Sequence, residues 1–162
     1  MKSKVLNMLL FLGVALLVIA LAQALGFWVN NTIPTGTTRE LTSLIHLTHV
    51  RNYGGVFGLA QGMGWLFGLI SLGLLGGVTA YLWFASDIPR LEYLFFGFIV
   101  GGGASNVIDR LLYGSVIDYI DVQHIPGWNY VFNLADVMVH VGIWPLILFS
   151  ILAGRRSAAD DA

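Results

Sequence analysis

Long uninterrupted apolar runs dominate this chain. Four can cross a membrane: residues 5–28, broken only by Asn7 and Gln23; 62–85, without a charge; 91–110, apolar from Leu91 to Ile108 apart from Glu92, Ser105 and Asn106; and 134–153, which carries Asp136 and His140. A transmembrane helix needs about 20 mostly apolar residues to cover roughly 30 Å of hydrocarbon. Pro89 ends any helix running through the short Ser86–Arg90 turn, so the second and third spans are expected to pack as an antiparallel hairpin. Segments 29–61 and 111–133 remain outside. The first opens on a turn-rich stretch (Pro34, Thr35, Gly36) and continues into Leu41–Arg51, whose mixed pattern favours short extended pieces over a helix. The second offers Val116-Ile117 and Tyr119-Ile120 before the turn signal Pro126-Gly127. The expectation is an all-α integral membrane protein, a single membrane domain over residues 1–162, with both outer segments packed as one small cap.

Composition sharpens this. Of 162 residues 57% are apolar and 10% charged, with a mean hydropathy of +0.79, against roughly 25% charged in soluble domains. A soluble enzyme is excluded. A net charge of −1 leaves no basic footprint for nucleic acid, and the absence of cysteine removes thiol catalysis and Cys-based metal sites. Lys2, Lys4, Arg90, Arg155 and Arg156 fall on one side if both termini are cytoplasmic, which the positive-inside rule favours. Ala22-Gln23-Ala24 resembles a leader cleavage site, but its apolar run exceeds the about 7–15 residues of a secretory leader, so an uncleaved first helix is expected.

The polar residues cluster. Asn52, Asn106, Asp109, Arg110, Asp118, Asp121, Asn133 and Asp136 all map to the outer ends of the spans or the outer segments. Ionisable groups in a membrane chain are costly and mark functional sites; a polar collar, an ion pathway and a plain structural role are the competing readings. With neither G-x-S-x-G nor H-E-x-x-H present, paired carboxylates are the sharpest hydrolytic option, and Asp118 with Asp136 is the best pair. Asp136 and His140 share a helix face at a metal-compatible spacing, but two ligands are too few for a zinc site. Arg110 reads first as a structural ion-pair partner of Asp109 or Asp121, and His46, His49 and His124 as loop or interface residues. The small residues Gly101, Gly102, Gly103 and Ala104 allow close helix approach.

Three stretches, in this order and spacing, together resemble lipoprotein signal peptidase, or signal peptidase II: Val50-Arg51-Asn52-Tyr53-Gly54-Gly55-Val56-Phe57-Gly58; Gly101 through Asp121; and Phe132-Asn133-Leu134-Ala135-Asp136, with Gly142 following. The resemblance implies a bacterial inner-membrane aspartyl endopeptidase, active near the outer face. It cuts diacylglyceryl-modified prolipoproteins just before the lipidated cysteine, with no cofactor or metal, and it works within membrane lipid. A monomer is expected, since lateral access of substrate needs no second copy. The catalytic aspartates fall on Asp118 and Asp136, and supporting residues on Asn52, Gly54, Asn106, Arg110 and Asn133. Arg110 is thereby promoted to a substrate-carbonyl or site-organising contact. The segment Asn30–Leu59 is expected to form the family's small β-cradle. The family's first-helix D-Q-x-x-K motif is not matched, because Ala22 and Gly26 stand at its charged positions. That leaves an alternative: a catalytically impaired homologue that binds precursor or inhibitor without cleaving.

Overall fold

The computed structural model describes residues 2–160, with side chains over residues 3–152; the side chains of Lys2, Arg155 and Arg156, part of the orientation reading, lie outside the described residues. Lipid offers no partner for a backbone N–H or C=O, so an apolar run satisfies them internally as a helix. Among the described residues four helices are long and apolar enough to span: α1 (Lys2–Thr32), α2 (Gly64–Phe84), α3 (Arg90–Tyr113) and α4 (Leu134–Asp160). Two overrun the apolar pattern at the outer end. α1 continues past Trp28 because Asn31 and Thr32 donate side-chain hydrogen bonds, both 2.7 Å, to the carbonyls of Phe27 and Trp28 one turn back. α3 continues to Tyr113 and stops at Gly114, which takes the left-handed conformation (φ +69°) and caps the Arg110 carbonyl.

α3 is the central helix and packs against each of the other three. Its glycines make this approach possible. A Cβ at Gly101 would lie 2.7 Å from the Ala15 carbonyl oxygen of α1, and one at Gly102 would run into the Ala135 carbonyl of α4. On the far side, Gly103 faces Leu75 of α2. Gly102→Leu is therefore expected to force α4 away and destabilise the fold by about 1–3 kcal/mol. Gly76→Leu, with open space around its Cβ, should leave the thermal midpoint in detergent unchanged.

The outer segments meet in one antiparallel sheet of order β1-β2-β3-β4: β1 (Thr38–Glu40), β2 (Ile45–Asn52), β3 (Val116–Val122) and β4 (Val131–Phe132). The cradle is thus not confined to Asn30–Leu59, because half its strands come from the second outer segment. β3 is buried over Val116–Tyr119, and its Ile117 and Tyr119 pack on Val29 and Ile33 at the end of α1. Each outer segment alone would leave a two-stranded ribbon of marginal stability; joined over α1 they gain a covered apolar face. The sheet therefore sits on the end of the bundle where α1 and α3 finish and α2 and α4 begin.

Candidate active site

The site is built around Asn133, the residue before α4. Its Oδ1 accepts from the Asp136 N–H at 3.0 Å, while the Asp136 carboxylate accepts from the Asn133 N–H at 3.2 Å. This reciprocal pair is a capping box made with Asn and Asp, and it satisfies helix-end donors that would otherwise be orphaned. The same lock fixes the Asp136 carboxylate in the first turn of α4, where the helix dipole favours negative charge. The Asn133 amide then donates to Asp118 Oδ1 at 2.8 Å and to Asn106 Oδ1 at 3.0 Å. Asn106, from α3, returns its own amide to Asp136 Oδ1 at 2.7 Å. One buried amide thus ties both aspartates and three elements together.

Asp118 comes from β3 and is 4% exposed. Its second oxygen accepts from the Asn52 amide at 3.2 Å, across the β2–β3 pair. Asn52 Oδ1 in turn accepts from the Gly54 N–H at 3.0 Å. Gly54 has no room for a side chain, since a Cβ there would run into the Leu59 carbonyl. Burial, and next the neighbouring Asp136 charge, push the Asp118 carboxyl up to about 7, against the opposing pull of the Asn52 and Asn133 amides. Asp118 is therefore a carboxyl able to hold a proton near neutrality.

Arg110 departs from its first sequence reading as an ion-pair partner of Asp109 or Asp121. Those carboxylates are already engaged: Asp109 by the Gln23 amide (2.8 Å) and the Ile117 N–H (3.0 Å), Asp121 by the Thr48 hydroxyl (2.6 Å). The guanidinium instead donates to the carbonyls of Gly54 (3.0 Å) and Asn106 (3.2 Å), alongside the glycine face of α2 at Gly64 and Gly68. Its buried Nε has no partner among the described residues. Arg110 organises the Gly54 loop against α3 and keeps a donor in reserve. His49 is the second departure. It lies 1% exposed beneath the sheet rather than in a loop, its Nδ1 donating 2.6 Å to the Ile33 carbonyl. His140 shares the α4 face of Asp136, and its Nδ1 is taken by the Asp136 carbonyl at 2.8 Å.

All seven residues that the resemblance singled out meet here: Asn52, Gly54, Asn106, Arg110, Asp118, Asn133 and Asp136. What sequence reasoning missed is the support beneath them. Gln23 of α1 donates to Asp109 and to the Ser105 hydroxyl (3.0 Å), and Asp109 accepts from the Ile117 N–H of β3, one residue before Asp118. Where the family motif would put charges, Ala22 is buried and Gly26 faces open space. The Asn-x-x-Asp spacing ahead of an apolar run was the readable signal for the capping box. Chemically, a buried and a half-buried carboxyl group sharing a hydrogen-bonded amide, one able to stay protonated, form an acid–base pair suited to hydrolysis.

Residues 14–152 match the sequence profile described as Signal peptidase (SPase) II. The lipoprotein signal peptidase of Syntrophomonas wolfei is 40% identical over 150 residues, spanning 90% of this chain and 95% of that one. That of Clostridioides difficile is 34% identical over 150 residues, spanning 92% of this chain and 99% of the relative. Among solved structures, a bacterial membrane enzyme determined by the in meso method at 2.3 Å resolution superposes with a TM-score of 0.77 at 24% identity, over 94% of this chain and 89% of its own. A second, at 1.9 Å resolution, gives 0.75 at 23% identity over 94% of each. These two likenesses establish the fold.

Proposed function

The chain belongs to the signal peptidase II family, and from that premise we propose that it removes signal peptides from lipoprotein precursors as an aspartic endopeptidase, with Asp118 and Asp136 as the catalytic pair. The observation that carries this reading is Asn133, whose side chain caps Asp136 and hydrogen-bonds Asp118 at once. The two carboxyls are unequal. Asp136, the less buried of the two, sits at a helix N-terminus where its oxygens accept from a backbone N–H and from the Asn106 amide, a set of donors suited to the base of the pair. Asp118, pushed up to about 7, keeps its proton.

The steps follow from that inequality. Protonated Asp118 donates to the scissile carbonyl oxygen while Asp136 takes a proton from the attacking water. As the tetrahedral adduct collapses, Asp136 passes its proton to the leaving nitrogen and Asp118 recovers one from the adduct hydroxyl. Arg110 holds the substrate backbone beside the pair, while Asn52 orients Asp118. Lys4 and Arg90 lie at the opposite end of the bundle, which under the positive-inside rule supports cytoplasmic termini and a site at the outer face of the bacterial membrane. The precursor reaches it laterally from the lipid, its acyl chains staying in hydrocarbon, and a single copy of the chain suffices.

Nothing among the relatives supports a homologue that binds without cleaving. The Gln23–Asp109 link joins α1 to β3 without the family's first-helix charges. The test is a precursor prepared with and without diacylglycerol on its cysteine. The modified form should be cut just before that cysteine and the unmodified form left intact; equal cleavage of both would overturn the proposed substrate.

A further inference from the structure

Asn52 reaches Asp118 only because β2 carries one residue more than β3 requires. From Ile45 to Leu47 the partners of β2 run Val122 to Ile120; from Val50 to Asn52 they run Asp118 to Val116. Between Leu47 and Val50, β2 advances three residues while β3 advances two, so Thr48 and His49 together oppose Tyr119. That is a β-bulge. Residues directly opposite in an antiparallel pair share a face, and faces alternate along each strand, so a one-residue shift exchanges the faces of everything beyond it. With the bulge, Asn52 shares the face of Val116 and Asp118. In an unbroken ladder it would oppose Ser115 and share the face of Ile117 and Tyr119, which packs on α1. Arg51 confirms the phase: it lies on the α1 face, donating to Asn30 of α1 and to Ser115.

Both bulge residues are fastened by their side chains. The buried His49 ring donates to the Ile33 carbonyl just beyond α1, while its backbone N–H and C=O bond to Thr37 (3.1 Å) and Gly36 (2.8 Å). Thr48 donates to Asp121 and stands 3.0 Å from the Thr38 hydroxyl. We propose that Thr48 and His49 are positioning residues for the acid–base pair: their side chains hold the bulge, and the bulge holds Asn52 against Asp118. This deepens the aspartic reading of the site and rests on it. Ordinary core packing would ask of residue 49 only bulk, which phenylalanine supplies.

The experiment compares His49→Phe, His49→Asn, Thr48→Val, Asn52→Ala and Asp118→Asn with the native chain on a diacylglyceryl-cysteine precursor. It follows kcat, KM and the pH dependence of kcat/KM. His49→Phe should lower kcat by about tenfold, as a misplaced site group does, with KM little changed. Its alkaline limb should move upward as in Asn52→Ala, because the Asn52 bond favours the ionised form of Asp118. Asp136, Asp109 and Arg110, the other groups facing Asp118, are untouched by these changes. His49→Asn can donate to Ile33 from where Nδ1 sits, and should restore most of the rate. Native kcat and an unmoved limb in His49→Phe would overturn the proposal. If that variant does not fold, Thr48→Val decides, with the same shift at smaller size expected and native behaviour overturning it. A tenth or more of native turnover in Asp118→Asn would overturn the aspartic reading itself, a separate failure from that of the bulge.

Discussion

Asp118→Asn and Asp136→Asn are each expected to lower precursor cleavage by about three orders of magnitude or more, while precursor binding stays within a few-fold of native. Asparagine matches aspartate in shape, so the packing around β3 and the start of α4 is preserved. What is lost is the capacity to gain or lose a proton. At position 118 the amide has no acidic proton to give the carbonyl oxygen; at position 136 it is no base for water. If the two act as the proposed unit, the double variant should be little slower than either single one. Single-turnover cleavage beside a direct binding assay separates this from misfolding. A variant keeping a tenth of native turnover would move the chemistry elsewhere.

Asn133→Ala should show the next largest loss, about a hundredfold in turnover, together with about 1 kcal/mol of stability from the missing cap. The two effects have different origins and can be separated. Serine at position 133 still offers an oxygen to the Asp136 N–H, but its single hydroxyl cannot also donate to Asp118 and Asn106 as the amide does at 2.8 and 3.0 Å. Asn133→Ser is therefore expected to recover the thermal midpoint and not the turnover. Recovery of both would reduce Asn133 to a helix cap.

The helices were legible because lipid leaves an apolar run one way to satisfy its backbone, and the runs are unmistakable. Their outer ends were less so: Asn31 and Thr32 read as loop residues by polarity, yet they extend α1 by bonding back to its last carbonyls. The sheet was half legible. Short extended pieces show in the pattern, but pairing of β2 with β3, more than sixty residues apart, depends on both meeting over Val29 and Ile33. The aspartate pair stood out as carboxylates in a charge-poor chain. Arg110 was first misread because nearest-neighbour reasoning pairs opposite charges, whereas Asp109 is consumed by a backbone N–H and by Gln23 from α1. His49 was invisible as a buried group because polarity patterns assume an unbroken ladder, and it lies in the bulge.

The most direct test of the shared-proton pair is the pH dependence of kcat/KM for a diacylglyceryl-cysteine precursor. On the proposed mechanism Asp118 must be protonated to act, and burial with the Asp136 charge pushes it up to about 7, so the rate should fall as pH rises through that value. The buried Tyr119 hydroxyl, pushed up to about 12 chiefly by its own burial, cannot produce that fall. Residual turnover in Asp118→Asn should lack this limb altogether. A native profile that stays flat well above neutrality, or one whose alkaline fall survives in Asp118→Asn, would contradict Asp118 as the acid of the pair.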